Sequence, residues 1–252
     1  MSAKSSVDME NDKRENRVAF VSLGPGDKDL VTIAALEALR GAEVIYCPSV
    51  EDRQGVRRSR AAELIEALGI DPAKITCFDL AMRSDRTAAW NTYGELLERI
   101  SADYAAGRQV AVAVEGDVSI YASIHYVLEQ LQEKGVPVRQ VAGIPSFIAA
   151  AATANLSLIS QGEKLLVVPG QATVEEMDRW LDEGCTLVIM KLSRLSERLG
   201  DYMRSRLGNR YYYLENVATP AAVCLTDVEA ILAREIPYFS LLIVTRRPKK
   251  RT

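Results

Sequence analysis

The sequence predicts an α/β protein of two domains, the first with a mainly parallel sheet and the second with a mixed sheet. Its 252 residues are enough for two domains of ordinary size. From residue 18 onward, short apolar segments alternate with stretches at helical spacing, which is typical of βα units. The segment Gln109–Val114 is apolar on both faces, as a strand inside a parallel sheet must be.

The predicted elements follow this alternation in order. We expect a disordered tail over residues 1–16, an N-terminal domain over 17–158 and a C-terminal domain over 159–248, because the hydrophobic pattern pauses near residues 157–163. The first domain is predicted to have strands at 18–22, 43–46, 75–78, 109–114 and 138–141, and helices at 30–39, 60–68, 87–105 and 125–133. The second is predicted to have strands at 165–168, 187–190, 211–214, 222–225 and 241–245, and helices at 174–181 and 195–206.

Composition excludes several classes of protein. The net charge of -3 gives no overall basic field for nucleic acid, and no apolar run approaches the length of a membrane span. The four cysteines are scattered without a CxxC pair, so we expect no metal site. No secretory segment is visible, and the expected location is the cytoplasm.

The first segment that could carry chemistry is Gly24-Pro25-Gly26-Asp27, directly after the first predicted strand. It is not the dinucleotide fingerprint, because Asp29 stands where the third glycine belongs. Glycine on both sides of a proline allows a sharp turn and a close approach of backbone to a ligand. Asp27 could cap the helix that follows. Taken alone, the segment is more often a simple strand-to-helix turn.

Three further segments also follow predicted strands, where open α/β sheets bind ligands. The loop Glu115–Tyr121 follows the most apolar strand, and its Asp117 could bind ribose hydroxyls, bind a cationic cofactor group or cap a helix. The segment Gly143–Phe147 would present free amides at a helix start. The pair Met190-Lys191 ends a strand, where methionine is more often part of the core than a ligand contact.

Together these segments resemble the tetrapyrrole methylases, and the resemblance runs from residue 18 to residue 244. The matching motifs are Gly24–Asp27, Leu30–Thr32, Gly116–Val118 and Gly143–Ser146. The stretches 116–123, 143–147, 82–86 with Trp90, and 237–242 are similar to the branch that methylates C-20 of precorrin-2.

The sequence also departs from the family pattern. Val118 and Ala142 stand where the family commonly has proline. The stretch Tyr46-Cys47-Pro48 lacks the aspartate that the uroporphyrinogen enzymes of the family carry after this tyrosine. The departure argues against uroporphyrinogen as substrate and leaves the catalytic base open.

The resemblance implies an S-adenosylmethionine-dependent methyltransferase that binds its cofactor in a cleft between two α/β domains and works as a homodimer on precorrin-2 or cobalt-precorrin-2. Asp27, the nearest motif carboxylate, is a candidate catalytic residue. The positions carried over as cofactor contacts are Pro25, Glu115, Gly116, Asp117, Ile120, Pro145, Ser146, Met190, Val217 and Ala218.

A carboxylate-rich tetrapyrrole requires local cations on a slightly acidic chain, and arginine binds carboxylates in bidentate fashion. Several arginines, Arg60 among them, cluster after the second and third predicted strands. The alternative is that they form a solvated loop. The predicted substrate-binding residues are Arg53, Arg57, Arg58, Arg83 and Arg86.

Other functions stay open at this point. A family member could act on a different corrin carbon, on 16S ribosomal RNA or on diphthine, although an RNA enzyme should show a basic face. A SAM-binding module without catalysis is the alternative from another class. The single histidine, His125, is interpreted as a packing or helix-start residue.

Overall fold

The computed structural model describes residues 16–51, 55–80 and 86–246, without the side chains of residues 86–89 and Glu197. Residues 1–15 of the predicted tail 1–16 lie outside these ranges. The chain divides into two compact units between Pro145 and Ser146. The division falls earlier than the predicted limit at 158/159, which marks the loop after the helix that begins at Ser146.

The first unit contains a sheet of six strands with helices on both faces. Five of these strands run parallel, in the order β4-β2-β5-β1-β6, and the short β3 pairs antiparallel with the end of β2. Its strands are β1 (Val18–Ser22), β2 (Val44–Glu51), β3 (Arg57–Arg58), β4 (Ile75–Asp79), β5 (Val110–Val114) and β6 (Val138–Val141). Its helices are α1 (Ile33–Gly41), α2 (Arg60–Ala67), α3 (Arg86–Ala105) and α4 (His125–Glu133).

Strand β1 shows why this sheet is buried on both faces. All five of its residues are buried, and alternate side chains enter different cores. Phe20 packs into the core that includes residues of α3 and α4, whereas Val21 packs into the core that includes residues of α1 and α2. The prediction of a parallel sheet with two covered faces is confirmed.

Side-chain caps fix where several helices of the first unit begin. Thr32 accepts a hydrogen bond from the Ala35 amide before α1, and Ser59 accepts one from the Ala62 amide before α2. Such caps satisfy amides that have no partner inside the helix. Each cap thereby fixes the residue at which its helix begins.

The second unit contains a mixed sheet in the order β10-β9-β11-β8-β7, in which only β7 and β8 pair in parallel. The prediction of a mixed sheet is therefore confirmed. Its strands are β7 (Lys164–Pro169), β8 (Cys185–Met190), β9 (Asn209–Glu215), β10 (Val223–Leu225) and β11 (Ser240–Arg246). Its helices are α5 (Ser146–Thr153), α6 (Val174–Asp182), α7 (Ser196–Ser205) and α8 (Val228–Leu232).

Helix α6 has the strongest local start signal of the second unit. Thr173 and Glu176 form a capping box in which each side chain accepts a hydrogen bond from the backbone amide of the other. Its buried residues Met177 and Leu181 join the core of this unit. Among the helices of the described ranges, none is both long and apolar enough to cross a membrane.

Candidate functional site

Two glycine loops of the first unit are hydrogen-bonded to each other at the carboxyl edge of the sheet. The amide of Gly24 donates to the carbonyl of Gly116 over 3.1 Å, and the amide of Gly116 donates back over 2.7 Å. Gly24 has a φ of +72°, and a Cβ there would lie 2.9 Å from the Leu30 carbonyl oxygen. A larger residue would clash with the backbone of its own loop at Leu30, so glycine is needed for this turn.

A third loop closes against the first two at Gly143, just after β6. A Cβ at Gly143 would lie 2.4 Å from the Ser22 Cβ and 3.0 Å from the Gly116 carbonyl oxygen. The buried Ser22 hydroxyl in turn accepts a hydrogen bond from the Val118 amide over 2.9 Å. Sequence reasoning missed Ser22, although a hydroxyl at the end of an apolar strand is a usable signal.

Asp117 joins two of these loops through its carboxylate. One oxygen accepts from the Ser119 amide over 2.9 Å and from the Ser119 hydroxyl, and the other accepts from the Gly143 amide over 2.7 Å. Burial pushes the pKa of Asp117 upward, but these hydrogen bonds outweigh burial and hold the pKa below its ordinary value. Both oxygens therefore serve the loop structure, and contact with a cofactor stays a prediction for this residue.

Glu115, two residues earlier, has different surroundings. It directly follows β5, and its side chain is 23% exposed. The Arg60 Nε lies 3.2 Å from the Glu115 Oε1. Burial raises the pKa of Glu115, while Arg60 acts in the opposite direction and the Glu63 carboxylate adds to the rise. This loop thus carries one carboxylate used for structure and one that forms an ion pair with Arg60.

Asp27 has a local structural role. Its carboxylate accepts a hydrogen bond from the Asp29 amide over 2.9 Å and caps the single 3₁₀ turn Lys28–Leu30. Asp27 was predicted to cap the following helix, and it does cap this 3₁₀ turn. The α-helix α1 is capped by Thr32 instead. The residue is exposed, and its catalytic role stays a prediction.

The second unit also gathers its strand-end loops at one edge. Strands β8 and β9 both flank β11, with Met190 opposite Leu241 and Glu215 opposite Ser240. The loops after them adopt left-handed backbone at residues other than glycine, with φ of 54° at Lys191, 44° at Asn216 and 60° at Ala218. Non-glycine residues in this region are held by their surroundings and cluster at functional sites.

Comparison with known proteins identifies the family of this chain. The family model described as Tetrapyrrole (Corrin/Porphyrin) Methylases matches residues 17–231. The chain belongs to the tetrapyrrole methylases. The family uses S-adenosylmethionine, and the resemblance stated from the sequence is confirmed.

Relatives from three organisms align over nearly their whole length. The chain is 32% identical to a probable cobalt-precorrin-2 C(20)-methyltransferase of Methanocaldococcus jannaschii, over 93% of this chain and 98% of the relative. It is 30% identical to a precorrin-2 C(20)-methyltransferase of a Sinorhizobium species, over 90% and 94%. It is 26% identical to a cobalt-precorrin-2 C(20)-methyltransferase of Salmonella typhimurium, over 90% and 95%.

Solved structures share the fold. A cobalt-precorrin-4 methyltransferase superposes with a TM-score of 0.71 at 18% identity, over 91% of this chain and 94% of that one. A uroporphyrin-III C-methyltransferase of Thermus thermophilus in complex with S-adenosylhomocysteine gives 0.63 at 20% identity, over 91% and 97%. The family model and the aligned relatives together show a SAM-dependent tetrapyrrole methyltransferase of cobalamin biosynthesis.

The residues of this methylase fit a nucleoside cofactor. A Cβ at Gly116 would meet no atom within 4 Å, so the loop leaves its backbone open on that side. Pro25 is buried next to Gly24, and Ile120 is half-buried in the loop that contains Gly116.

In the second unit, Met190 is half-buried at the end of β8, and Val217 is buried beside Ala218. Pro145 and Ser146 are half-buried where α5 begins. All these positions stay predictions as cofactor contacts.

The structure describes the side chains of only two of the five predicted substrate-binding arginines. Arg53 and Arg83 lie outside the described residues, and of Arg86 only the backbone at the start of α3 is described. Arg57 and Arg58 form β3, with Arg57 Nη1 at 2.8 Å from an oxygen of Asp79. The Ser49 hydroxyl donates to the same carboxylate over 2.9 Å. The methylase thus holds Arg57 at the carboxyl edge of the first sheet, where its side chain is 64% exposed.

An exposed aromatic patch was also missed by sequence reasoning. Trp90 of α3 lies 4.9 Å from Tyr126 of α4 between ring centroids, and Tyr126 lies 4.3 Å from His125. His125 itself contacts the Ala122 carbonyl through Nδ1 over 2.7 Å, in agreement with its interpretation as a helix-start residue. Within the ranges that the structure describes, no three His, Cys, Asp or Glu side chains come together to hold a metal ion.

Proposed function

We propose that this methylase transfers a methyl group from S-adenosylmethionine to C-20 of precorrin-2 or cobalt-precorrin-2. The observation that carries the proposal is alignment over nearly the whole length of both chains with enzymes named for that carbon. A cobalt-precorrin-4 C(11)-methyltransferase aligns over only 73% of this chain and 66% of its own length, at 24% identity. The difference in coverage favours C-20 over C-11.

The strand-end loops support a division of tasks among the chain's own residues. The cofactor supplies a methyl group on a positively charged sulfur, which is already a good leaving group. The loops linked through Gly24, Gly116 and Gly143 would hold the cofactor by backbone contacts, while Arg57 and Arg58 would hold substrate carboxylates. Catalysis then depends mainly on positioning the nucleophilic carbon in line with the methyl group and the sulfur. We also expect a homodimer, which sedimentation would test.

The decisive experiment is incubation with ¹³C-methyl-labelled S-adenosylmethionine and each of three substrates: precorrin-2, cobalt-precorrin-2 and precorrin-4. Mass spectrometry should show one added methyl group on at least one form of precorrin-2, and carbon NMR should locate it on C-20. No gain with either form, or a gain only with precorrin-4, contradicts the proposal. The same assay decides whether the metal-free or the cobalt-loaded ring is used.

A second experiment tests the arginines. The double substitution Arg57→Ala and Arg58→Ala should raise the substrate KM at least about tenfold, since charged hydrogen bonds are lost, while the affinity for S-adenosylhomocysteine stays unchanged. Arg108→Ala is the matched control, because this exposed arginine pairs with Asp103 and lies two residues before the start of β5, at the opposite edge of the sheet. An unchanged KM in the double variant ends the assignment.

A further inference from the structure

The proposed reaction requires a proton acceptor. The sequence has no carboxylate directly after Tyr46, where the uroporphyrinogen enzymes of the family carry an aspartate. Replacing the hydrogen on C-20 by a methyl group releases one proton, and this step rests on the proposed function. Strand β2 carries Tyr46-Cys47-Pro48, with no carboxylate among these residues. The Tyr46 hydroxyl instead donates to Asp103 over 2.6 Å, and Cys47 is fully buried.

Three of the described carboxylates at the carboxyl edge of the first sheet are committed to structure, and Glu51, the last residue of β2, is exposed. Asp27 is exposed and caps a turn. Asp79 is shared by Arg57 and Ser49. Asp117 accepts hydrogen bonds on both oxygens. Glu115 differs from these three, because it is largely buried and its carboxylate pairs with Arg60 through one oxygen.

We propose that Glu115 is the general base that removes the proton from C-20. As the methyl group is transferred, a carbon–carbon bond forms at C-20 and the carbon–sulfur bond breaks with its electron pair staying on sulfur. Glu115 then takes the C-20 proton onto its carboxylate, and the electrons of the carbon–hydrogen bond return to the conjugated ring. The products are S-adenosylhomocysteine, the methylated ring and a protonated carboxyl that later releases its proton to water.

The position of Glu115 in the fold suits this role. Strand β5 lies between β1 and β2, so its carboxyl end is central among the loops that carry Gly24, Gly116 and Arg57. In an open parallel sheet, ligands bind at this edge. Glu115 also directly precedes Gly116, whose backbone is open to a ligand. The carboxylate therefore lies where cofactor and substrate are expected to meet the first unit.

The charges around Glu115 match the needs of a base. Burial raises its pKa toward the pH at which a base is most effective, and Arg60 limits that rise. Arg60 and Glu63, both on α2, are the charged groups that act on it. Arg60 keeps the carboxylate charged and oriented, so it is a positioning residue for this step.

The first test is Glu115→Gln, which keeps the size of the side chain and removes the base. We expect kcat to fall by about 10²-fold or more. Substrate KM should stay near the wild-type value, and an unchanged circular dichroism spectrum shows that the variant is folded. Glu115→Asp should retain part of kcat, since a carboxylate remains. Full kcat in the Gln variant overturns the proposal.

The pH dependence gives a readout that a structural role would not produce. Wild-type kcat should fall on the acid side as Glu115 is protonated, and this limb should be absent from the residual activity of Glu115→Gln. Arg60→Gln removes a charge that lowers the pKa of Glu115, so the limb should move to higher pH. Glu63→Gln removes a charge that raises it, so the limb should move to lower pH. Shifts in the same direction, or none, contradict the assignment.

A measurement without turnover tests the role of Glu115 independently of the proposed substrate. Infrared difference spectra of the S-adenosylhomocysteine complex, wild type minus Glu115→Gln, should show one carboxyl that titrates above the ordinary range of glutamate. Its titration should shift upward in Arg60→Gln. If precorrin-2 is not methylated but this carboxyl behaves as described, the substrate assignment fails alone. If methylation proceeds and Glu115→Gln keeps full activity, the base assignment fails alone.

Discussion

The strand-end loops of the two units are held in different ways. In the first unit, loops bond to one another: Gly24 with Gly116 through the backbone, and Asp117 with Gly143 through a carboxylate. In the second unit, single residues adopt left-handed backbone at Lys191, Asn216 and Ala218. Left-handed backbone at residues other than glycine is more frequent in the strand-end loops of the second unit, although Tyr121 of the first unit also has a φ of 52°.

This difference has an energetic consequence. Where glycines allow backbones to meet, an added methyl group has no space, so substitution is costly. Where an L-residue already adopts a left-handed conformation, the folded state carries about 1–2 kcal/mol of strain that glycine would relieve. The two kinds of loop should therefore respond to mutation with opposite signs.

The largest expected effect is at Gly143. Gly143→Ala should lower the free energy of unfolding by about 3 kcal/mol, because the new Cβ would overlap the Ser22 Cβ and press on the Gly116 carbonyl. Affinity for S-adenosylhomocysteine should fall with it. Urea unfolding and calorimetry measure both quantities. Gly94→Ala is the control: this glycine of α3 has open space around its Cβ, and the change should add about 1 kcal/mol.

Asp117→Asn should cost about 2 kcal/mol at neutral pH, because a charged acceptor of buried amides is lost. The pKa of Asp117 is held below its ordinary value of 3.8, so the wild-type advantage is complete above that pH and fades as pH falls through the lowered pKa. Unfolding at several pH values measures this. Asp71→Asn, at an exposed cap, is the control and should change stability little. A difference that persists in strong acid would contradict the carboxylate explanation.

The counterpart of Gly143 in the second unit is Gly170, where a Cβ would lie 2.6 Å from the Lys191 carbonyl oxygen. Gly170→Ala should cost about 1.5 kcal/mol, less than Gly143→Ala, because its nearest contact is longer, 2.6 Å against 2.4 Å, and Ser22 lies on a buried strand. The comparison between the units fails if Gly170→Ala is the more damaging of the two in the same unfolding assay.

The smallest effect should have the opposite sign. Ala218→Gly should raise the free energy of unfolding by about 0.5 kcal/mol, since relief of strain at a φ of 60° exceeds the extra entropy of glycine in the unfolded chain. Thermal unfolding at high precision measures it. Ala233→Gly, at the end of α8 with ordinary backbone, is the control and should lower stability. A loss at both positions would show that Ala218 carries no strain.

Much of the fold followed from local pattern. The helix His125–Glu133 and the strand Val138–Val141 were predicted with the bounds that the structure has. Strand β2 was predicted to end at residue 46 but continues to Glu51, because Pro48 lies beyond the pairing with β5 and needs no donor on that side. Helix α8 was missed, since its five residues are too few for a clear period.

The candidate site followed from sequence only in part. The glycine loops and their place after strands were predictable, because a residue without Cβ has a specific use wherever backbones approach closely. The partners were not: Ser22, Arg60 and Gly143 are far apart along the chain from Val118, Glu115 and Asp117, which they contact. Nothing in local spacing distinguishes a carboxylate that caps its neighbours from one that stays available.

By itself, the sequence determined the α/β alternation, the parallel first sheet and the family, because these depend on periodicity and on motifs read in order. Only the tertiary structure decided what each carboxylate does. Asp117 and Glu115 are two residues apart and similar in chemistry, yet hydrogen bonds lower the pKa of one and burial raises that of the other. Protonation depends on neighbours in space, and those neighbours are brought together only by folding.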